Sequence, residues 1–296
     1  MPLRVTQSMI TAQLLSNISN NVNKMSNYQN MLSTGRKINR PSDDPVGITY
    51  ALRYRSEITI NDQFQRNVDF AKSAVEHLDT VMGQINDIFQ RANELTVQGV
   101  NGTNPQTALD AISAELNQLY EQAVTLGNSQ LNGKYIFNGQ LTDKQPYTSA
   151  TADTDATDDQ TFSLEFAAGV TIPVNVTGNE VFGSGPESLF AILKGLKDSF
   201  SAGDQAAARV YLGKLEDRFD KFLEVRAEVG ARANRIDMLD SQLESLSINL
   251  QKLSGETEDA DIAETITKLK TAENVYQASL SVGAKIIQPS LVDYLR

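Results

Sequence analysis

Residues 215–253 read LEDRFDKFLEVRAEVGARANRIDMLDSQLESLSINLQKL, and their apolar positions decide the fold. Leu215, Phe222, Val229, Ile236, Leu243 and Leu250 recur every seven residues, with Val225, Leu239, Leu246 and Leu253 as a companion row. Arg232 is the one polar intruder, read as an arginine that snorkels to the surface rather than as a marker of register. A sustained repeat of this kind keeps one stripe of a helix against its neighbour, so it predicts helices packed side by side at shallow angles. Further upstream, Phe64, Val68, Ala71, Val75, Leu78, Met82, Ile85, Phe89 and Ala92 step by four and three without a slip. Leu109, Ile112, Leu116, Leu119, Ala123 and Leu126 repeat the rule over a shorter span.

The prolines agree with this reading. They stand at positions 2, 41, 45, 105, 146, 173, 186 and 289, which leaves 46–104 and 187–288 free of them. A proline inside a helix costs ~3 kcal/mol, so those two spans are where long helices are expected. Between them the period changes. Phe162, Leu164 and Phe166 alternate with polar residues, Ala167-Ala168-Gly169 turns, and Val170, Ile172, Val174 and Val176 alternate again. This predicts a β-hairpin, and Tyr135-Ile136-Phe137 before Asn138-Gly139 predicts a further strand and turn. The insertion is too short for a core of its own and is expected to lean on the helices.

Both ends of the chain are amphipathic. Ile10, Leu14, Ile18, Val22, Met25, Tyr28 and Leu32 mark an N-terminal arm; Ile262, Ile266, Leu269, Ala272, Tyr276, Leu280, Gly283, Ile287 and Leu291 mark a C-terminal one. Ile18, Met25, Leu32, Ile266, Leu269, Tyr276, Leu280, Ile287 and Leu291 are the candidate assembly residues. The N-terminal arm is rich in Asn and Ser and is expected to be a marginal helix alone. Residues 1–60 carry seven Lys/Arg against three Asp/Glu, and 254–296 carry four against seven, so opposite charges favour paired arms. In the linkers, Gly35 ends a helix, Asn39 and Asp43 lie in the connection, and Asp44 caps a helix that Pro45 begins. Gly255 is read as the stop of the long C-terminal helix and Asp259 as the start of the last one. Among the long helices, Arg91, Glu94, Leu95, Ile236, Leu243 and Leu250 are the candidate packing residues.

The expected architecture is mainly α: a long antiparallel heptad-helix rod with paired terminal helical arms and a small β-rich insertion. Its divisions are an arm and linker over 1–45, rod over 46–138, insertion over 139–183, rod over 184–253, and linker with arm over 254–296. The chain has 296 residues, 26 Lys/Arg and 37 Asp/Glu, for a net charge of −11. That field has the wrong sign for a nucleic-acid partner. The absence of cysteine removes disulfides, thiol nucleophiles and thiolate metal sites, and a single histidine, His77, leaves little for catalysis. The run Asp153–Asp159 lacks the turn glycine and distal glutamate of a calcium loop and is read as a solvated loop. No cofactor, metal site or catalytic constellation is expected. No apolar run approaches the ~20 residues that span a bilayer, so membrane insertion is not expected, and the opening residues carry no apolar stretch of signal-peptide length.

Several segments resemble the bacterial flagellin family. Leu32-Ser33-Thr34-Gly35-Arg36-Lys37-Ile38-Asn39 with Asp43-Asp44-Pro45-Val46-Gly47 is similar to the family's N-terminal signature, with Pro45 in place of the usual alanine. Gln90–Gln98, Ala233-Asn234-Arg235-Ile236 and Glu258–Ala263 resemble its helical core, and the likeness covers 1–138 and 205–296. The opening Arg4-Val5-Thr6-Gln7-Ser8-Met9 and the ending Gln288–Leu295 resemble the branch found at the hook–filament junction more than the filament subunits. The resemblance implies a homo-oligomer in the assembled flagellum that joins the first hook-associated protein to flagellin. It also implies type III export to the cell exterior, an export chaperone and a filament cap as partners. Three classes fit the helical pattern: a junction protein, a filament subunit, or a cytosolic coiled-coil adaptor that needs no arms.

Overall fold

The computed structural model describes residues 7–102 and 104–287. In order along the chain come α1 (Gln7–Thr34), α2 (Pro45–Val100), α3 (Gln106–Gly127), β1 (Gln130–Leu131), β2 (Lys134–Tyr135), β3 (Ser163–Ala167) and β4 (Val170–Pro173). They are followed by α4 (Gly178–Phe182), α5 (Leu189–Ser201), α6 (Gln205–Glu258) and α7 (Ile262–Ile287). Among the described residues the fold is mainly α, with two two-stranded antiparallel sheets. Two compact units result, one of Met1–Ile60 with Ser247–Arg296, the other of Asn61–Leu246.

In the larger unit α2 and α6 run antiparallel. Asn61 Nδ2 donates to the Leu243 carbonyl at 3.2 Å, Lys72 pairs with Asp237 at 2.9 Å, and Phe89 packs on Phe219 and Phe222 at 5.3 and 5.1 Å between ring centres. Numbers rise on one helix as they fall on the other. The heptad positions Leu215, Phe222, Val229, Ile236 and Leu243 are buried against Val68, Val75, Met82, Ile85 and Phe89 in a single core. Helix α3 packs on α5, where Ser113 Oγ donates to the Lys197 carbonyl at 3.0 Å and Gln106 Nε2 donates to that of Phe200 at 3.1 Å.

The insertion shares this core. Phe137, Tyr147, Phe182 and Phe190 form one aromatic cluster with centroid separations between 4.7 and 5.5 Å. Strands β3 and β4 pair antiparallel, Leu164 opposite Ile172, with a bulge between Glu165 and Ala167. The tight hairpin differs from the sequence expectation. It joins β1 to β2 through Asn132-Gly133, both in the left-handed region (φ 53° and 77°), which the twist of a two-residue hairpin requires. Asn138-Gly139 instead turns a loop: Asn138 Nδ2 donates to the carbonyls of Leu141 and Lys144, while Phe137 leaves the strand for the core. Arg232 does not snorkel outward. Its guanidinium donates to the Asn175 carbonyl beyond β4 at 3.2 Å and to Glu228 at 2.6 Å. The acidic run staples its loop, since Asp155 accepts from Thr148 and Thr151, Asp153 pairs with Lys194, and Asp158 accepts from the Gln140 amide.

Candidate functional site: the paired arms and their linkers

The smaller unit is built from helix pairing in which α1 brings mostly large apolar residues and α7 alternates them with small and polar ones. Helix α1 turns Leu14, Ile18, Asn21, Met25, Tyr28 and Leu32 inward, all half-buried and spaced by four and three. Helix α7 answers with Thr265, Leu269, Ala272, Tyr276, Ser279 and Gly283 at the same spacing, every one buried or half-buried. Asn21 Nδ2 donates to the Ala272 carbonyl at 2.8 Å, and a Cβ on Gly283 would come within 2.8 Å of Leu14 Cδ2. Small residues on α7 therefore let the backbones approach closely.

The seam between the two arms departs from the purely apolar spacing at two positions. Val22 and Leu280 point away, and Asn21 and Ser279 take their places. A hydrophobicity-weighted reading skips Asn21, Thr265 and Ser279; the bare alternation of four and three finds them. Ile18, Met25, Leu32, Leu269 and Tyr276 lie at the seam, whereas Ile266 and Leu280 are each 46% exposed beside it. Leu15, Val22, Ile262, Val275 and Val282 are exposed as well. The side chain of Ile287 and all of Leu291 lie outside the described residues.

The linkers close on each other. Gly35, in the left-handed region at φ 72°, ends α1 and hands its carbonyl to the Ala260 amide at 2.9 Å. The Lys37 amide donates to the Glu258 carbonyl at 2.7 Å, so 35–37 and 258–260 form a short antiparallel bridge around Arg36 and Asp259. Asp43 accepts from the amides of Asn39 and Arg40 at 3.1 and 2.8 Å, and Asn39 Nδ2 donates to the Arg36 carbonyl. Asp44 Oδ1 accepts from the amides of Val46 and Gly47, capping α2 with Pro45 as its first residue. Ile38 is buried beneath this turn.

Two linker expectations are corrected. Gly255 does not stop α6, which continues to Glu258, with the Asp259 amide bonded to the Gly255 carbonyl at 2.9 Å. One glycine costs a helix ~1 kcal/mol, and the buried contacts of Ser254 and Glu258 outweigh it. Nor does Asp259 start α7. Asp261 does, accepting from the Glu264 amide through Oδ1 at 3.0 Å.

In the larger unit, Leu95, Ile236 and Leu243 are buried, as is Leu250 in the smaller. Arg91 and Glu94 are exposed, and Arg91 bridges α2 to α3 through Glu115 at 2.7 Å while also pairing with Glu94 at 3.0 Å. A cleft of about 590 Å³ is lined largely by Phe70, Leu78, Ile136, Phe162, Val174 and Val176, with Lys134 its one charged residue. Convergent acid–base groups are missing from it. Among the described residues no group of three or more His, Asp or Glu is placed to hold a metal, and no helix is long and apolar enough to cross a membrane.

The chain belongs to the bacterial flagellin family. The model of the bacterial flagellin N-terminal helical region matches residues 5–142, and that of the C-terminal helical region matches 212–295. Within the family it is similar to flagellar hook-associated protein 3 of Escherichia coli, 26% identical over 94% of this chain and 95% of that one. A flagellin of Halalkalibacterium halodurans is 24% identical over 92% and 91%. A solved hook-associated protein from Vibrio parahaemolyticus shares the fold at a TM-score of 0.68 and 21% identity, over 73% of this chain and all of that one. Bacillus cereus FlgL does so at 0.61 and 22%, over 69% and 99%.

Proposed function

We propose that the chain is a structural, non-enzymatic subunit of the flagellar hook–filament junction, polymerising through its terminal helices. The observation that carries this reading is the surplus of aliphatic surface on the arms. Their mutual seam covers one face of each helix and leaves Leu15, Val22, Ile262, Ile266, Leu280 and Val282 exposed. A pair of isolated helices gains nothing from that surface, whereas neighbouring copies in a tube would cover it at ~25 cal/mol per Å². The near-full-length likeness to hook-associated protein 3 supports the junction in particular. On this reading the partners are further copies, the first hook-associated protein on one side and flagellin on the other, with an export chaperone and the filament cap during delivery. The site of action is outside the cell, reached by type III export.

The test is removal of residues 1–34 or 262–296. Each truncated chain should keep a folded core, by circular dichroism, yet fail to join hook to filament in cells lacking the intact protein. Filament growth on the truncated chain would refute the reading. A filament-subunit role is the second possibility, favoured by the flagellin of Halalkalibacterium halodurans. Immunogold labelling separates the two, with label at the hook tip alone or along the whole filament.

A further inference from the structure

We propose that Glu258 is a positioning residue, an ionic latch that ties both linkers to α2 so that the two terminal helices are held or released together. Its carboxylate is 5% exposed at the last turn of α6. There it receives both Nε and a terminal nitrogen of Arg55 from α2, the Ser254 hydroxyl at 2.8 Å, and the guanidinium of Arg36 at 3.7 Å. The same residue's carbonyl accepts the Lys37 amide, and Lys37 Nζ reaches back to the Glu256 carbonyl at 2.8 Å. One side chain thus joins α2, the end of α6, and the linker leaving α1. The partner linker, starting at Asp259, is bonded to that strand through Ala260 and Gly35. The inference stands whether or not the junction role is correct.

The charged groups around the latch are Arg36 and Lys37 on the first linker and Arg55 on α2. Glu256 lies on α6, and Asp259 and Asp261 follow it. Glu258 alone among these acids is buried. Hydrogen bonds from Arg55, then from Ser254, with the charges of Arg55 and Arg36, hold the carboxyl below the usual glutamate range against the cost of burial. Because the folded value is depressed, the latch contributes fully above the ordinary glutamate range near ~4.3 and is lost as pH falls through the lower folded value.

The absence of cysteine makes the test direct. Nitroxide labels are placed on the full chain at the exposed positions Arg40→Cys and Lys252→Cys, and pulsed dipolar spectroscopy reads the distance from the first linker to the end of α6. At about pH 7 one narrow distance is expected, and it should broaden in acid below the ordinary glutamate range. Glu258→Gln should broaden it already at neutral pH, with a roughly tenfold or greater fall in the latched fraction over the open one, and should remove the acid response. A narrow distance in Glu258→Gln at neutral pH, or the same acid response in both proteins, overturns the proposal. Should Glu258→Gln lose its overall helical signal, the acid titration of the unsubstituted sequence decides. The narrow distance must vanish before the helical ellipticity does, and simultaneous loss overturns the latch.

Discussion

Two glycines inside long helices show how one residue type answers to different constraints. Gly230 on α6 has nothing within 4 Å of where a Cβ would stand, so Gly230→Ala should raise the unfolding free energy by ~0.5–1 kcal/mol. Gly99 on α2 faces Phe200, whose Cε1 would lie 2.5 Å from an added Cβ. Overpacking there outweighs the propensity gain, and Gly99→Ala should lower stability by ~1–3 kcal/mol. Urea denaturation followed by circular dichroism checks both signs. Arg218 poses a sharper problem, being a buried guanidinium that donates to the Glu180 and Val181 carbonyls at the end of α4, with burial lowering its pKa. Arg218→Met strands those carbonyls, and a loss of ~2–3 kcal/mol is expected in the same denaturation experiment. Nothing in the local sequence marks Arg218, which sits between heptad positions and meets partners 37 and 38 residues away.

Helix ends were the most legible elements of the smaller unit, and also where sequence reading slipped. Asp44 before Pro45 is a local signal, and the structure uses it as such. At the other linker four candidate acids crowd into Glu256–Asp261, and only the pairing of Glu258 with Arg55, 203 residues distant, leaves Asp261 as the cap. Asp44→Ala and Asp261→Ala should each cost ~1 kcal/mol and speed amide exchange in the first turn of α2 or α7, while the Asn variants should be near neutral. The seam between α1 and α7 follows the same logic. Asn21 spends a central position on a hydrogen bond to α7, which fixes register at some cost in stability. Asn21→Leu should strengthen the arm pair but allow it to slip, read as a broadened label-to-label distance between the two helices.

At the scale of the molecule the acidity is unevenly shared. Residues 61–246 hold 14 Lys/Arg against 27 Asp/Glu, a net −13, while the remainder is slightly positive. Copies brought side by side through the larger unit repel one another, and salt screens that repulsion. Raising ionic strength from ~0.01 to ~0.15 M shortens the screening length from ~30 to ~8 Å, so the concentration needed for self-assembly should fall markedly. Sedimentation across a salt series measures it, and an onset indifferent to salt would place the contacts between copies elsewhere than on the acidic unit.

Sequence alone determined the long helices, because a heptad stripe and the spacing of prolines are local statements about burial, and the opposite charges of the two ends favoured their pairing. It also placed the strands β3 and β4, whose alternation is equally local. The antiparallel direction of α2 and α6 rests on contacts between distant residues. Tertiary structure decided which residues fill the arm seam, that the tight hairpin turns at Asn132-Gly133, and that Arg232 holds the insertion. It alone brought Arg55 to Glu258. Those choices depend on which distant groups meet: a small side chain wins a seam only when a partner backbone comes close, and a buried carboxylate persists only where cations from other elements converge upon it.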